Sequence, residues 1–320
     1  MKARRGIAML AALWLVVAIA TVAVQFSLVA RERRQLGLAG ADRARERALA
    51  AGALATMHAR LDFDLRNRAV GRGAAALRSS DPWLDVDSVY SGVIEVDSVP
   101  IEVVAADLGS MLPLNYVSEA ELRAFFNFAL RDFTLADQLT QSIMDWRDLD
   151  DSPRPAGAER EQYLRDGLLV LPTNGAFREV NDLIHVRGMT ADVMEHIRPY
   201  FHAFGTARTR VNLNTAPELV LRALPGMTDV VIMQILSMRS QGRRIESLEQ
   251  VMSSAVRGAS TAGQAQADRV QNALNNITTV NTSDVLLTIY AGLTPKAQPT
   301  RLTALMTRGN NAATLAWQQW

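Results

Sequence analysis

The feature that most limits the fold of this chain is the uncharged, apolar stretch at residues 7–30. As a helix this stretch is about 36 Å long at ~1.5 Å per residue, whereas the hydrocarbon core of a bilayer is about 30 Å thick. A secretory signal has an apolar core of only about 7–15 residues, followed by a cleavage site of small residues. We therefore predict a retained membrane-spanning helix, and removal as a secretory signal is the less favoured alternative.

The charges around this stretch favour one orientation only weakly. Basic residues precede it at positions 2, 4 and 5, and the positive-inside rule places them in the cytoplasm. Arginines also follow it at positions 31, 33 and 34, which reduces the difference between the two ends. Charge alone therefore does not fix which side of the membrane the rest of the chain occupies.

The composition excludes several kinds of site. The chain has 320 residues and no cysteine, which excludes disulfides, thiolate catalysis and cysteine metal sites. Its net charge of +1 gives no general reason to expect nucleic acid as a partner. The sequence contains neither a phosphate-binding loop nor a Gly-x-Ser-x-Gly motif. We therefore expect no enzymatic activity and no small-molecule substrate.

The pattern beyond residue 30 predicts an α+β fold. Alanine-rich sequence continues the helix to about Arg68, where Gly71 and Gly73 end it. Residues 93–104 are rich in β-branched side chains and predict two short antiparallel strands, and similar runs return at 283–292, 300–307 and 314–320. Residues 112–273 follow a helical pattern. We predict that the two strand groups form one sheet on the long helix, with the helical block inserted; two unrelated small domains are the alternative.

The predicted boundaries follow from these changes of pattern. They are a leader at 1–6, a transmembrane helix at 7–30, a helical spine at 31–70, a first part of the sheet domain at 71–110, an inserted all-α domain at 111–275 and C-terminal strands at 276–320. Residues 118–121 and 215–218 have the form of capping boxes, and each predicts the start of a helix in the inserted block.

A repeat lies within the helical block. Gly-Met-Thr occurs at Gly188 and again at Gly226, and each copy reads as helix, tight glycine turn and helix. This resembles a helix-hairpin-helix module, in which hairpin amides hold a DNA phosphate. Asp192 and Asp229 would place negative charge where that phosphate approaches. We therefore favour a protein-binding module and expect no nucleic acid, with a membrane-anchored DNA-binding protein as the alternative.

An acidic loop is the candidate metal site. Asp148, Asp150, Asp151 and Glu159 are our candidate ligands, because Ca²⁺ takes oxygen ligands in loose geometry. The alternative is a solvated loop whose aspartates cap turns. His185, His196 and His202 have no i, i+4 spacing among them, so we expect core or surface histidines and no zinc face. The loop chemistry therefore permits calcium without requiring it.

Several motifs occur together in an order that resembles one family. A short basic leader ends at Gly6, directly before an apolar helix that begins at Ile7, as in type IV pilins and pseudopilins. Most members carry glutamate at the fifth mature position, which is Ala11 here. Further motifs follow in order: DWRD at 145–148, GAE at 157–159, Tyr163, PTNG at 172–175, VRG at 186–188 and NLNTAP at 212–217. The series resembles the type II secretion system protein K family, the large minor pseudopilins.

The resemblance implies a set of properties for this chain. It implies cleavage by prepilin peptidase between Gly6 and Ile7, and a pseudopilin fold with a large inserted all-α domain. It implies a single-pass protein of the inner membrane with most of the chain in the periplasm. It implies a place at the tip of the pseudopilus with minor pseudopilins I and J, in export of folded proteins. Calcium in the inserted region is also a property of the family.

Overall fold

The computed structural model describes residues 3–68, 83, 85–205, 207–255, 261–293, 298–309 and 312–319. In chain order the helices are α1 (Ala3–Arg68), α2 (Val86–Tyr90), α3 (Glu119–Leu130), α4 (Phe133–Arg147), α5 (Arg160–Arg165), α6 (Ala191–Ile197), α7 (Glu218–Ala223), α8 (Asp229–Ser240), α9 (Leu248–Ala255) and α10 (Thr261–Ile277). The strands are β1 (Gly92–Val96), β2 (Val99–Asp107), β3 (Leu112–Pro113), β4 (Phe201–His202), β5 (Val211–Asn212), β6 (Thr278–Thr279), β7 (Asp284–Ala291), β8 (Thr300–Arg308) and β9 (Ala313–Gln319). The predicted helix stop at Gly71 and Gly73 lies outside the described residues.

The long helix α1 has an exposed apolar part and a packed part. It is the helix, among the residues described, that is long and apolar enough to cross a membrane. Its side chains are exposed from residue 13 to residue 45. Beyond that point Ala50, Ala53, Met57 and Leu61 are buried, and their spacing of three or four residues defines one face of the helix. The helix therefore continues from the apolar stretch into the folded domain, as predicted.

The sheet joins strands from both ends of the folded domain. Its order is β1-β2-β7-β8-β9, and every neighbouring pair is antiparallel. Val103 of β2 pairs with Ile289 of β7, so strands far apart in sequence lie side by side at the centre. Alternate residues of β7, including Val285 and Leu287, are buried in the same core as the packed face of α1. This confirms the prediction of one sheet with a helical block inserted between its strands.

The inserted block leaves the sheet at the end remote from the apolar stretch. Glu46 accepts hydrogen bonds from the Leu293 backbone and the Thr300 hydroxyl, so the end of β7 lies beside the earlier part of the spine. Farther along α1, Asp62 accepts a bond from the backbone N–H of Ala313, at the start of β9. Arg308, paired with Ala313, donates to Ser283, directly before β7. The start of β7 is therefore level with the far end of the spine.

The inserted block has its own hydrophobic core. The capping box at its first helix is confirmed: the Ser118 hydroxyl accepts from the Glu121 N–H at 3.3 Å, and the Glu121 carboxylate accepts from the Ser118 N–H at 2.8 Å. Leu122, Phe125 and Phe126 then follow on one buried face of α3. Because this core and the spine–sheet core form separate clusters, the block is a second packed unit.

The second predicted capping box is wrong. Helix α7 begins at Glu218, Pro217 occupies the N-cap position, and no side chain makes a capping hydrogen bond there. The Thr215 hydroxyl donates instead to Asp107 at 2.7 Å. The Thr215 side chain therefore binds Asp107, which is distant in sequence, and does not cap α7 as the sequence pattern indicated.

Asp107 joins the inserted block to the sheet. This buried aspartate ends β2, and its Oδ1 accepts from the backbone N–H of Gly109 at 2.9 Å. Its Oδ2 accepts from the Asn212 amide at 2.6 Å, from the Thr215 hydroxyl at 2.7 Å and from the Thr282 hydroxyl at 3.1 Å. One carboxylate therefore accepts hydrogen bonds from the inserted block, from the segment that directly follows β2 and from the segment that directly precedes β7.

We expect Asp107→Ala to lower the free energy of unfolding by about 3 kcal/mol, because it leaves the buried Asn212 amide without its carboxylate acceptor. Denaturant unfolding of the full-length chain in detergent micelles measures this loss. Glu102→Ala, at an exposed position of the same strand, is the matched control and should change stability by less than about 0.5 kcal/mol. Equal effects of the two substitutions would contradict the role given to Asp107.

His202 is a buried, uncharged histidine of the inserted block, in agreement with one of the two expectations for the histidines. It is 1% exposed, and neither ring nitrogen has a hydrogen-bond partner among the described residues. Burial lowers its pKa to about 4, and the backbone of Phe204, which favours the charged form, offsets only part of this effect. The folded chain therefore resists protonation at this position.

This pKa predicts a loss of stability in acid. The unfolded chain binds a proton at His202 below about pH 6.5, whereas the folded chain does so only near pH 4. Stability should therefore fall by up to about 3 kcal/mol as the pH drops from 6.5 to 4. His202→Phe should remove this part of the pH dependence, and His185→Gln, at an exposed position, should leave it. Unfolding curves at a series of pH values test this, and an unchanged profile for His202→Phe would contradict it.

Candidate functional site

Three carboxylates converge where α4 gives way to α5. Asp145 lies in the last turn of α4, Asp148 directly follows that helix, and Glu159 is the N-cap residue of α5. One oxygen from each side chain lies within 4.8 Å of the others, and Asp145 and Glu159 are buried. The loop at 148–159 therefore folds back so that its two ends share one acidic cluster.

Gly157 makes this close approach possible. A Cβ atom at this position would lie 2.0 Å from Asp145 Oδ2, far inside van der Waals contact. The backbone N–H of Gly157 donates to the Arg154 carbonyl at 3.0 Å, which closes a turn in the loop. The need for glycine here is therefore one of space beside the carboxylate, which gives a physical reason for the GAE motif at 157–159.

Arg154 partly neutralises the cluster. Its Nη1 lies 2.5 Å from Asp145 Oδ1 and 2.6 Å from Asp148 Oδ2. Its backbone N–H also donates to Asp145 Oδ2 at 3.1 Å. Burial raises the pKa of Asp145, and the hydrogen bonds from Arg154 offset part of that rise. A single guanidinium thus pairs with two of the three carboxylates.

Glu159 is a buried carboxylate whose surroundings raise its pKa. It is 2% exposed, and neither carboxylate oxygen has a hydrogen-bond partner in the part of the chain that the structure describes. Burial, followed by repulsion from Asp145 and Asp148, raises its pKa to about 7. Asp148 Oδ1 is likewise buried and unpartnered within the described residues. Buried carboxylate oxygens without partners are the donor set that a hard divalent cation such as Ca²⁺ uses, so the residues present fit such an ion.

The cluster overlaps the predicted ligand set in part. Asp148 and Glu159 belong to both, whereas Asp150 accepts from the backbone N–H of Ser152 and Asp151 from the amide of Asn174. Asp145 was not among the predicted ligands. It lies three residues before Asp148, and recognising that α4 extends to Arg147 would have placed both near the same end of that helix. The predicted four-residue set stays a prediction, and the geometry adds Asp145 to the candidates.

Other motif residues hold the walls of this site. Trp146 stacks on Phe177 with ring centroids 5.6 Å apart, and its ring meets Tyr163 edge-on at 5.9 Å. The Tyr163 hydroxyl accepts from the backbone N–H of Arg187 at 2.8 Å. Arg147 is directed away from the carboxylates and donates to the carbonyl of Leu114 at 2.5 Å. These residues of the DWRD, VRG and Tyr163 motifs therefore support the loop and do not supply ligands.

Both hairpin turns adopt the predicted conformation and pack against the inserted block. Gly188 and Gly226 have φ angles of +87° and +79°, which favour glycine. A Cβ atom at Gly226 would lie 2.6 Å from a methyl group of Val270, and one at Gly188 would lie 2.9 Å from the amide of Gln138. The turns therefore contact the protein's own side chains closely.

One charged residue near each hairpin turn forms an ion pair within the chain. Arg187 Nε lies 2.6 Å from Asp166 Oδ2, and Asp229 pairs with Arg222 at 2.5 Å. Neutralisation of phosphates by basic side chains supplies most of the affinity of DNA-binding modules. Because Arg187 is already paired with a carboxylate, this geometry gives no support to the DNA-binding alternative.

The comparisons with known proteins agree on one family. Residues 116–206 match the family model described as "Type II secretion system (T2SS), protein K", first domain. The type II secretion system protein K of Klebsiella pneumoniae is 35% identical over 78 residues, which are 24% of each chain. That of Pectobacterium carotovorum is 29% identical over 83 residues, 26% of this chain and 25% of the relative. The matched segments thus span about a quarter of the length of these curated relatives.

The fold extends the likeness to most of the chain. It matches a chain of the GspK-GspI-GspJ complex from the enterotoxigenic Escherichia coli type 2 secretion system with a TM-score of 0.66. The match covers 88% of this chain and 97% of that chain at 18% sequence identity, so it bears on the fold alone. The family model at residues 116–206 and the curated relatives support the resemblance to type II secretion system protein K, and the solved structure shares the fold.

Proposed function

We propose that this chain is a minor pseudopilin that caps and initiates the periplasmic pseudopilus of a type II secretion system. The observation that carries the proposal is the combination of a protein K domain at 116–206 with a fold that covers 97% of a chain in the GspK-GspI-GspJ complex. Its role is structural and not enzymatic. Its partners are minor pseudopilins equivalent to I and J, and it contributes to the export of folded proteins.

The N-terminal region supports anchoring in the inner membrane. Prepilin peptidase cleaves between Gly6 and Ile7, and α1 then begins near the new N-terminus and spans the membrane once. The sheet and the inserted block lie in the periplasm. Mass spectrometry of the mature chain tests the processing: the expected N-terminus is Ile7, whereas a start well beyond residue 30 would remove the anchor and overturn this account.

Two features of the chain support a place at the tip. The inserted block leaves the sheet level with the far end of the spine, where Asp62 binds Ala313, so it occupies the space above the fibre end. Ala11 stands where most pseudopilins carry a glutamate that can pair with the amine of the subunit above. A tip subunit has no subunit above it, and an unpaired carboxylate in lipid costs several kcal/mol. Both features disfavour addition of another subunit beyond this one.

The tip position predicts where the chain is found in overproduced pseudopili. An epitope in the inserted block should be detected by gold labelling at one end of each fibre, and pull-down from detergent extracts should recover the I-like and J-like pseudopilins. A deletion strain should retain its exported proteins in the periplasm. Labelling along the whole shaft would contradict the capping role.

Ala11→Glu separates the two features that support the tip position. Incorporation of this variant along the shaft would assign the position to residue 11. Labelling that stays at one end would assign the position to the inserted block, because the block still occludes the fibre end. Ala8→Gly, a small change on the same apolar stretch, is the control for effects on membrane insertion.

We further propose that the acidic cluster binds Ca²⁺ through Asp145, Asp148 and Glu159, and that the ion stabilises the loop at 148–159. Chelator-treated full-length chain in detergent should gain about 2.7 kcal/mol at a Ca²⁺ concentration 100 times its Kd, a rise of about 5–10 °C in Tm. Glu159→Gln should lose most of this rise, whereas Glu195→Gln, at an exposed position, should keep it. No rise in the wild type at millimolar Ca²⁺ would contradict the site.

A further inference from the structure

The position of Arg154 raises a question about the metal-free state of the acidic cluster. Its Nη1 lies between Asp145 Oδ1 and Asp148 Oδ2, at 2.5 and 2.6 Å. A divalent ion held by Asp145, Asp148 and Glu159 needs oxygens of the same carboxylates. The guanidinium therefore lies where it competes for ligand atoms, and it is the cation of the described residues that pairs with both aspartates.

The guanidinium leaves part of the site unsatisfied. Both oxygens of the buried Glu159 and Oδ1 of Asp148 have no hydrogen-bond partner among the described residues. The cluster holds three carboxylates and one positive charge, so two further positive charges are needed to balance it when all three are ionised. Arg154 therefore fits as a partial substitute for an ion, because it stabilises two carboxylates and leaves the third without a partner.

The backbone and side chain of Arg154 are held differently. Its backbone N–H donates to Asp145 Oδ2, and its carbonyl accepts from the N–H of Gly157, so the loop is fixed without the guanidinium. Its side chain is 29% exposed, and its Nε lies 3.7 Å from Glu119 Oε2. Departure of the guanidinium from the aspartates thus needs no change of the loop backbone, and another carboxylate is already beside it.

We propose that Arg154 is the resident cation of the metal-free cluster and that a divalent ion displaces its guanidinium from Asp145 and Asp148 toward Glu119. The proposal rests on the metal site proposed above. In the metal-free chain, Arg154 reduces the repulsion between Asp145 and Asp148 and so stabilises the loop at 148–159. Once an ion is bound, its charge replaces that of Arg154, and the guanidinium no longer contributes to the stability of the loop.

The test compares Arg154→Met with the wild type in chelator and in saturating Ca²⁺, using full-length chain in detergent. In chelator the variant should unfold several degrees below the wild type, because the cluster has lost its cation. In Ca²⁺ the two melting temperatures should coincide. Titration calorimetry should show Ca²⁺ binding to the variant at least about tenfold more tightly, since a hydrogen-bonded ion pair no longer has to be broken.

Control variants separate this proposal from its alternatives. Arg165→Met removes an exposed arginine of α5 and should change neither Ca²⁺ affinity nor the difference between the two conditions. Arg154→Gln keeps a polar side chain and should also bind Ca²⁺ more tightly than the wild type does. If Arg154→Met does not fold, the Ca²⁺ affinity of Arg154→Gln tests the displacement in its place. Equal or weaker Ca²⁺ binding by the Arg154 variants, or a deficit in Tm that persists in Ca²⁺, would overturn the displacement while leaving the metal site intact. Absence of Ca²⁺ binding by the wild type would overturn both.

Discussion

The antiparallel pairing of β2 with β7 is the contact on which the rest of this structure depends. Residues 102–107 of β2 pair with residues 285–290 of β7, and this places the two ends of a long insertion next to each other. Because the sheet holds both ends of the insertion together, the inserted block can fold around a hydrophobic core of its own. Asp107 then reinforces the joint, since it gathers the Asn212, Thr215 and Thr282 side chains at the point where the chain leaves and re-enters the sheet. The pseudopilin scaffold can thus carry a large helical unit without losing the packing of its sheet on α1.

The direction of β7 decides where that unit lies. Since Ser283 is level with Ala313 and Ala313 donates to Asp62, the block emerges near the far end of the spine and not beside the apolar stretch. In the capping role proposed above, a bulky unit at that end of the spine obstructs the addition of further subunits. The absence of a carboxylate at Ala11 is the electrostatic counterpart in the same proposal. The two features lie at opposite ends of the same helix and favour the same place in the proposed assembly.

The acidic cluster shows how a short loop can depend on charge balance. Burial is the main cause of the raised pKa of Glu159, and repulsion from Asp145 and Asp148, which little water screens there, adds to the rise. Gly157 leaves space for the loop to approach Asp145, and Arg154 neutralises part of the negative charge there. A bound cation would neutralise more of that charge. Trp146, which directly follows Asp145 in the sequence, packs against Tyr163 and Phe177. The DWRD, GAE and Tyr163 motifs thus mostly contribute residues that pack or bond around the loop at 148–159.

The sequence by itself determined the long apolar helix, the strand groups at both ends of the folded domain, the capping box at Ser118 and the glycine turns at 188 and 226, because each follows from local periodicity or from a backbone conformation. It also pointed to the acidic loop, through Asp148 and Glu159. Only the tertiary structure decided that Asp145 joins them, that Asp150 accepts from Ser152 and Asp151 from Asn174, and that Thr215 binds Asp107 in place of capping α7. The physical reason is that a side chain's partner depends on which segments the sheet and the helical core bring together, and contacts between residues as distant as 107 and 215 leave no periodic trace in the sequence.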